Sequence, residues 1–95
     1  MLRKYETIFI VKPTLGEDAI KEVVEKFKNF IETSATIDSF DEWGKRKLAY
    51  TIQDNTEGYY VLVNFESEPT FPQELERLYK ISEDILKFIV IKKDK

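Results

Sequence analysis

The sequence contains neither cysteine nor histidine, and only three glycines, three prolines and one tryptophan in 95 residues. Without cysteine there is no disulfide framework, no thiolate nucleophile and no zinc site of the usual kind. Without histidine the chain lacks the side chain that most readily moves protons near neutral pH. Carboxylates, Lys and Arg remain, but the commonest routes to catalysis are closed, and nothing implies a metal, a cofactor or a small-molecule substrate. No continuous apolar run approaches the roughly 18–20 residues that a membrane span needs. Met1-Leu2-Arg3-Lys4-Tyr5-Glu6 places charge ahead of an apolar stretch. That stretch is short, alternates with polar residues and meets Lys12-Pro13 without a small-residue cleavage site. A cytoplasmic protein without membrane association is expected.

One domain spanning residues 1–95 fits the length. A chain of this size hides roughly 60–68% of the surface that its unfolded form exposes, so one thin core is expected. The 42% apolar content, with seven Phe and five Tyr, suffices to fill it. The net charge of −3 argues mildly against a nucleic-acid partner, since phosphate binding depends on Lys and Arg displacing counterions. The distribution matters more. Arg3-Lys4, Lys45-Arg46-Lys47, and Lys92-Lys93 with Lys95 are local basic clusters, whereas acids dominate the helical segments.

Residues 2–12 read as a strand with Tyr5, Thr7, Phe9 and Val11 on the core face. Pro13 stops it, and Thr14-Leu15-Gly16-Glu17 has the spacing of a capping box. Ile20, Val23, Val24, Phe27 and Ile31 then form the apolar stripe of a helix that ends near Thr33-Ser34. Residues 36–52 form a long extended stretch broken by Gly44, residues 53–57 a polar turn, and Gly58 opens the next strand. There Tyr59, Val61, Val63 and Phe65 are expected to face the core. Thr70-Phe71-Pro72-Gln73 offers a second capping box ahead of a helix with Leu75, Leu78 and Tyr79 inward. Residues 85–92 are a final β-rich run. The order strand, helix, strand, strand, helix, strand makes two split βαβ units. Right-handed crossovers place both helices on one face of a four-stranded antiparallel sheet. The expected class is α+β with a ferredoxin-like βαββαβ topology.

Such a fold leaves the opposite sheet face without a cover. Ile8, Ile10, Tyr60, Leu62, Ile89 and Ile91 fall there, a set too apolar for contact with water alone, and large apolar patches mark interfaces. Cover by Lys and Glu stems, or self-association, is the plainer alternative. Lys45-Arg46-Lys47 lies beside Trp43, where cations can hold phosphates and an aromatic can stack on a base. The same charges would also protect an exposed strand edge. Both readings stand, and they are compatible.

Gly44-Lys45-Arg46-Lys47-Leu48-Ala49-Tyr50-Thr51-Ile52-Gln53 resembles the signature stretch of the bacterial small-subunit (30S) ribosomal protein six family. Tyr5-Glu6, Trp43, Gly58-Tyr59-Tyr60 and the strand at residues 85–92 also fall where that family has them, so the resemblance covers essentially the whole chain. It implies a ferredoxin-like structural protein of the small ribosomal subunit. Such a protein binds the central domain of small-subunit ribosomal RNA together with ribosomal protein eighteen. Carried onto this chain, Arg3, Tyr5, Lys45, Arg46 and Lys47 become candidates for RNA or partner contact. Lys92 and Lys93 join them, and Ile8, Ile10, Trp43, Tyr60, Leu62 and Ile89 are candidates for the protein partner. Gly44 would relax the backbone at a bend, and Leu48, Ala49 and Tyr50 would be structural. Gln53 departs from the basic or small residue usual there. The sequence given ends at Lys95, short of the acidic tail that some members carry, so the resemblance carries no claim about tail contacts onto this chain.

Two readings of the same topology compete. An RNA-recognition motif fails because Glu57 stands where Lys or Arg belongs and Tyr60 where Gly or Ala belongs. An acylphosphatase-like hydrolase needs a backbone cradle with a positioned Arg, and Arg3, Arg46 and Arg77 lie in no glycine-rich loop. The adjacent acids Glu17-Asp18 and Glu83-Asp84 read more simply as helix-start and loop charges. No catalytic residue is expected.

Overall fold

The computed structural model describes residues 1–93, so Lys95 of the third basic cluster lies outside the described residues. The elements are β1 (Arg3–Val11), α1 (Glu17–Ser34), β2 (Ala35–Ile52), β3 (Asn55–Ser67), α2 (Phe71–Ile81) and β4 (Ile85–Lys92), with a 3-10 turn at Pro13–Leu15. The four strands form one antiparallel sheet in the order β2-β3-β1-β4. This is the expected ferredoxin-like βαββαβ arrangement, and the long β2–β3 hairpin stretches the molecule to 40 × 25 × 23 Å.

Alternation in the strands and the 3.6-residue period in the helices create the core. Tyr5, Thr7, Phe9 and Val11 of β1 and Val61, Val63 and Phe65 of β3 are buried, and Ile20, Val23, Val24, Phe27 and Ile31 of α1 close over them. From α2, Phe71, Leu75 and Tyr79 complete the layer, with Leu78 only partly buried. The rings of Phe9, Phe27 and Tyr79 meet with centroids 4.9–5.4 Å apart, within the range where tilted aromatic pairs attract.

One polar chain runs through this core. The Thr7 hydroxyl donates to the Ile89 carbonyl at 2.9 Å and lies 3.0 Å from the Tyr79 hydroxyl. Thr7 has one hydrogen to give, so Tyr79 is the donor in the second bond. The chain ties α2 through β1 to the edge strand β4. Burial is the main cause that pushes the Tyr79 hydroxyl pKa far above the usual phenol range. Thr7→Val keeps the shape but leaves the buried Tyr79 hydroxyl without its acceptor, an expected loss of about 1–3 kcal/mol in urea unfolding. Adding Tyr79→Phe should recover part of that loss, because no orphaned hydroxyl remains.

Four local expectations change. Neither capping box forms: Gly16 occupies the N-cap of α1, and neither helix receives a side-chain cap. Thr14 is held inside the 3-10 turn, and Thr70 has a helical backbone rather than the extended one a cap adopts. The polar turn shrinks to Gln53 and Asp54, both with positive φ (49° and 65°), as two-residue hairpin loops require. β3 accordingly begins at Asn55 rather than Gly58, because the Asn55 amide ties back to the carbonyls of Ile52 and Gln53. Ile10, expected on an open face, is buried beneath Leu48 and Leu86 with Ile52 and Tyr60 packed alongside.

Candidate functional site

The sheet face opposite the helices is built from short rows that cross the strands. Asp41, Leu62, Ile8 and Ile89 form one row; Ser39, Asn64, Glu6 and Ile91 lie on one side of it, and Gly44, Tyr60, Ile10 and Lys87 on the other. Ile89 and Ile91 are 41% and 47% exposed, and Ile8 and Leu62 are half-buried. The chain therefore leaves much of this face bare. At one end it supplies its own cover. Between the pairs Lys47–Glu57 and Ile52–Asn55, residues 48–51 stand opposite Thr56 alone. This wide bulge swings Leu48 onto Ile10 and carries Tyr50 across to β4, where the Lys87 ammonium donates to its hydroxyl at 3.0 Å. An apolar cleft of about 210 Å3 remains among Ile8, Ile10, Leu48, Tyr50, Tyr60 and Ile89.

A second bulge, between Glu42 and Gly44, shapes the other margin of the face. Gly44 has φ +83°, a region that a residue with a Cβ rarely enters, and the extra residue turns Trp43 onto the bare side. Its indole stacks on Tyr60 at 6.2 Å and 14°, while the indole N–H donates to the Asp41 carboxylate at 3.1 Å. The Arg46 guanidinium lies over the indole, 5.4 Å from the ring centroid.

The basic candidates do not act as one patch. Successive strand residues point to opposite faces, so Arg46, opposite Gly58, shares the bare face while Lys45 and Lys47, opposite Tyr59 and Glu57, share the helix side. Arg3 and Lys92, paired with Ser67 and Tyr5, also lie on the helix side. Lys93 follows Lys92 onto the bare face, and its ammonium donates to the Asn64 side-chain Oδ1 at 3.1 Å. Tyr5, a surface-contact candidate from the family resemblance, is corrected to a core residue. It is 7% exposed and stacks on Phe65. Among the candidates for the protein partner, Ile8, Trp43, Tyr60, Leu62 and Ile89 share the accessible part of the face, and Ile10 lies beneath it. Lys87 is a cation of this face that cluster-based reading of the sequence misses. Its signal is the alternation that already places Ile89 and Ile91 there.

The helix side carries a different feature, a cleft of about 470 Å3 between the start of α1 and β2, bordered by Gly16, Lys21, Glu42, Lys45 and Tyr59. The Tyr59 hydroxyl donates to Glu42 at 2.7 Å. That bond to a carboxylate, with burial and the negative charge, pushes the Tyr59 pKa up to about 12. A hydroxyl so held is a structural tie rather than a proton donor near neutrality. Among the described residues no group of acidic side chains is arranged to hold a metal, and no helix is long and apolar enough to cross a membrane.

The chain is thus a ferredoxin-like domain that bares one sheet face, aromatic and cationic toward β2 and aliphatic toward β4. Its relatives are specific. The profile of the family described as Ribosomal protein S6 matches residues 4–92. The chain is 50% identical over 94 residues to the small ribosomal subunit protein bS6 of Caldanaerobacter subterraneus, covering 98% of this chain and 99% of that protein. It is 51% identical to the bS6 protein of Thermoanaerobacter pseudethanolicus with the same coverage. The crystal structure of 30S ribosomal protein S6 from Thermotoga maritima superposes with a TM-score of 0.92 at 32% identity, covering 98% of this chain and 89% of that one. The chain belongs to the ribosomal protein S6 family of the small ribosomal subunit.

Proposed function

We propose that this chain is a non-enzymatic constituent of the small subunit in the cytoplasm. In this reading it binds the central domain of the subunit's RNA together with ribosomal protein eighteen. The observation that carries the proposal is the bare sheet face, where exposed Ile89 and Ile91 adjoin half-buried Ile8 and Leu62. An apolar surface of this kind is an interface in waiting, and protein eighteen is its occupant in this reading. Arg46 and Lys93 on the same face, with Lys45 and Lys47 on the back of the hairpin, supply cations for phosphate. The partner contributes the remaining positive charge that a chain of net charge −3 lacks. The acylphosphatase-like alternative would need an arginine in a glycine-rich phosphate cradle, whereas Arg3, Arg46 and Arg77 lie in β1, β2 and α2.

The test is binding of the purified chain to the ribosomal RNA fragment, with and without protein eighteen, across a salt range. Tight binding is expected only when both proteins are present, and it should weaken steadily as salt rises. Replacing Lys45, Arg46 and Lys47 together with Ala should flatten the logarithmic salt slope by about one unit for each phosphate deprived of its cation. An unchanged slope would reassign these cations to strand-edge protection or to protein contact. Failure of the two proteins to bind the fragment jointly would refute the function.

A further inference from the structure

The bare face is chemically divided. Near β4 its exposed side chains are the aliphatic Ile89 and Ile91, whereas near β2 they are Trp43 and Arg46, with Tyr60 behind them. Core packing does not account for this second group. Trp43 is 39% exposed and belongs to neither apolar cluster. Edge protection does not require it either, since a charge alone would serve.

The arrangement of the three planes is specific. Tyr60 backs Trp43 in a near-parallel stack, Asp41 fixes the indole through its N–H, and Arg46 lies over the same ring. Among the described residues Arg46 has no ion pair, and its contact is with the indole face. Its N–H donors are therefore free to meet an acceptor from outside. A planar cation laid over an indole that a hydrogen bond holds in place, with its outer face and N–H donors exposed, matches the two halves of a nucleotide. Bases stack on aromatic and guanidinium planes, and phosphates accept from the guanidinium edge.

We propose that Trp43 and Arg46 form a stacking platform for one unpaired nucleobase of RNA, with the guanidinium edge meeting an adjacent phosphate. This rests on the RNA-binding reading above and assigns the two edges of the face to different partners. The Asp41 carboxylate on the same margin repels a second phosphate, so the platform takes about one nucleotide rather than tracking a strand. Base-paired RNA is excluded, because its bases are already stacked on one another and turn only their edges outward. A protein occupant is less suited to this margin, since an apolar surface laid over Arg46 would strand its donors without water.

Trp43 is the sole tryptophan, so its emission reports on the platform directly. The full chain is titrated at low ionic strength with a single-stranded oligoadenylate of eight nucleotides and, separately, with an RNA duplex of equal phosphate content. The single strand should quench the emission about twofold or more, and the duplex should leave it unchanged. Arg46→Lys keeps the charge and removes the plane. It should raise the half-saturating concentration of the single strand about tenfold, the scale of losing one base stack. Equal quenching by the duplex, or an unchanged titration with Arg46→Lys, would reduce the site to phosphate attraction and overturn the platform. If Arg46→Lys instead weakens capture of protein eighteen in the absence of RNA, the stack is a protein contact and the proposal falls. An absent response to the single strand, while the ribosomal RNA fragment still binds with protein eighteen, would sink the platform and leave the broader function standing. Loss of both would sink the two together.

Discussion

If ribosomal protein eighteen docks on the bare face as proposed, Leu62→Asp is expected to lower its affinity by about 30- to 1000-fold while the chain still unfolds in one cooperative transition. Leu62 sits on β3, between Ile8 of β1 and Asp41 of β2, on the bare face and only half-buried. In the free chain a carboxylate here stays in water. The cost is then the missing apolar packing plus repulsion from Asp41 across the strand pair, together about 1–2 kcal/mol. In the complex the same carboxylate would be buried against an apolar partner with no counter-charge. Central interface positions of this kind lose about 2–4 kcal/mol on disruption. Leu62→Lys should also block docking, although it faces Asp41 with the favourable sign. Parallel loss with both charges would separate desolvation from simple repulsion. Loss of the cooperative transition with either variant would show that Leu62 holds the fold together, and the docking assignment would then fail.

Gly58→Ala is expected to destabilise the chain by about 1–3 kcal/mol, a large effect for one added methyl group. The reason is the small second core on the bare face. A Cβ on Gly58 would run into the Ile10 Cγ2 methyl at less than any tolerable separation, with the Leu48 Cδ2 methyl at 3.4 Å behind it. Ile10 cannot easily yield, because Leu48 and Leu86 bury it and Tyr60 and Ile52 pack alongside. The clash is with the β-branch, so Ile10→Leu, nearly volume-conserving and mild by itself, should relieve much of it. Urea unfolding of the two single variants and the double variant would give the coupling. Strict additivity would mean that the added methyl group is accommodated elsewhere, and that the second core is looser than its burial indicates.

The main architecture is legible in the sequence because it depends on periodicity. Alternation in β1 and β3 and the stripes of α1 and α2 select the buried residues, and the order of elements then sets the topology. Alternation also carries information that cluster reading overrides. Lys45, Arg46 and Lys47 are consecutive in a strand, so they cannot share one face, and Tyr5 falls in step with Thr7, Phe9 and Val11. The family resemblance offers Tyr5 as a contact, whereas the periodicity places it in the core, where it lies. The bulges of β2 are not legible. Nothing local marks residues 48–51 as standing opposite one partner residue, because that register follows from the tight turn at Gln53 and Asp54 and from the room above Ile10. The Trp43–Arg46 stack depends on the bulge at Gly44, and its residues are visible singly but not as a unit. Helix starts fail for a simpler reason. Capping spacing tests which residues are present, whereas a cap also needs an extended backbone at the threonine.

The hydroxyl chain from Tyr79 through Thr7 to the Ile89 carbonyl has a kinetic consequence. It pins the outermost strand from the interior, at the residue whose side chain projects from the other face. Ile89 is thereby held in one place before any encounter. A docking molecule meets a surface already in its final shape, and little entropy is given up in ordering it. Its capture rate should accordingly be set by diffusion and orientation, not by a slow rearrangement of the sheet.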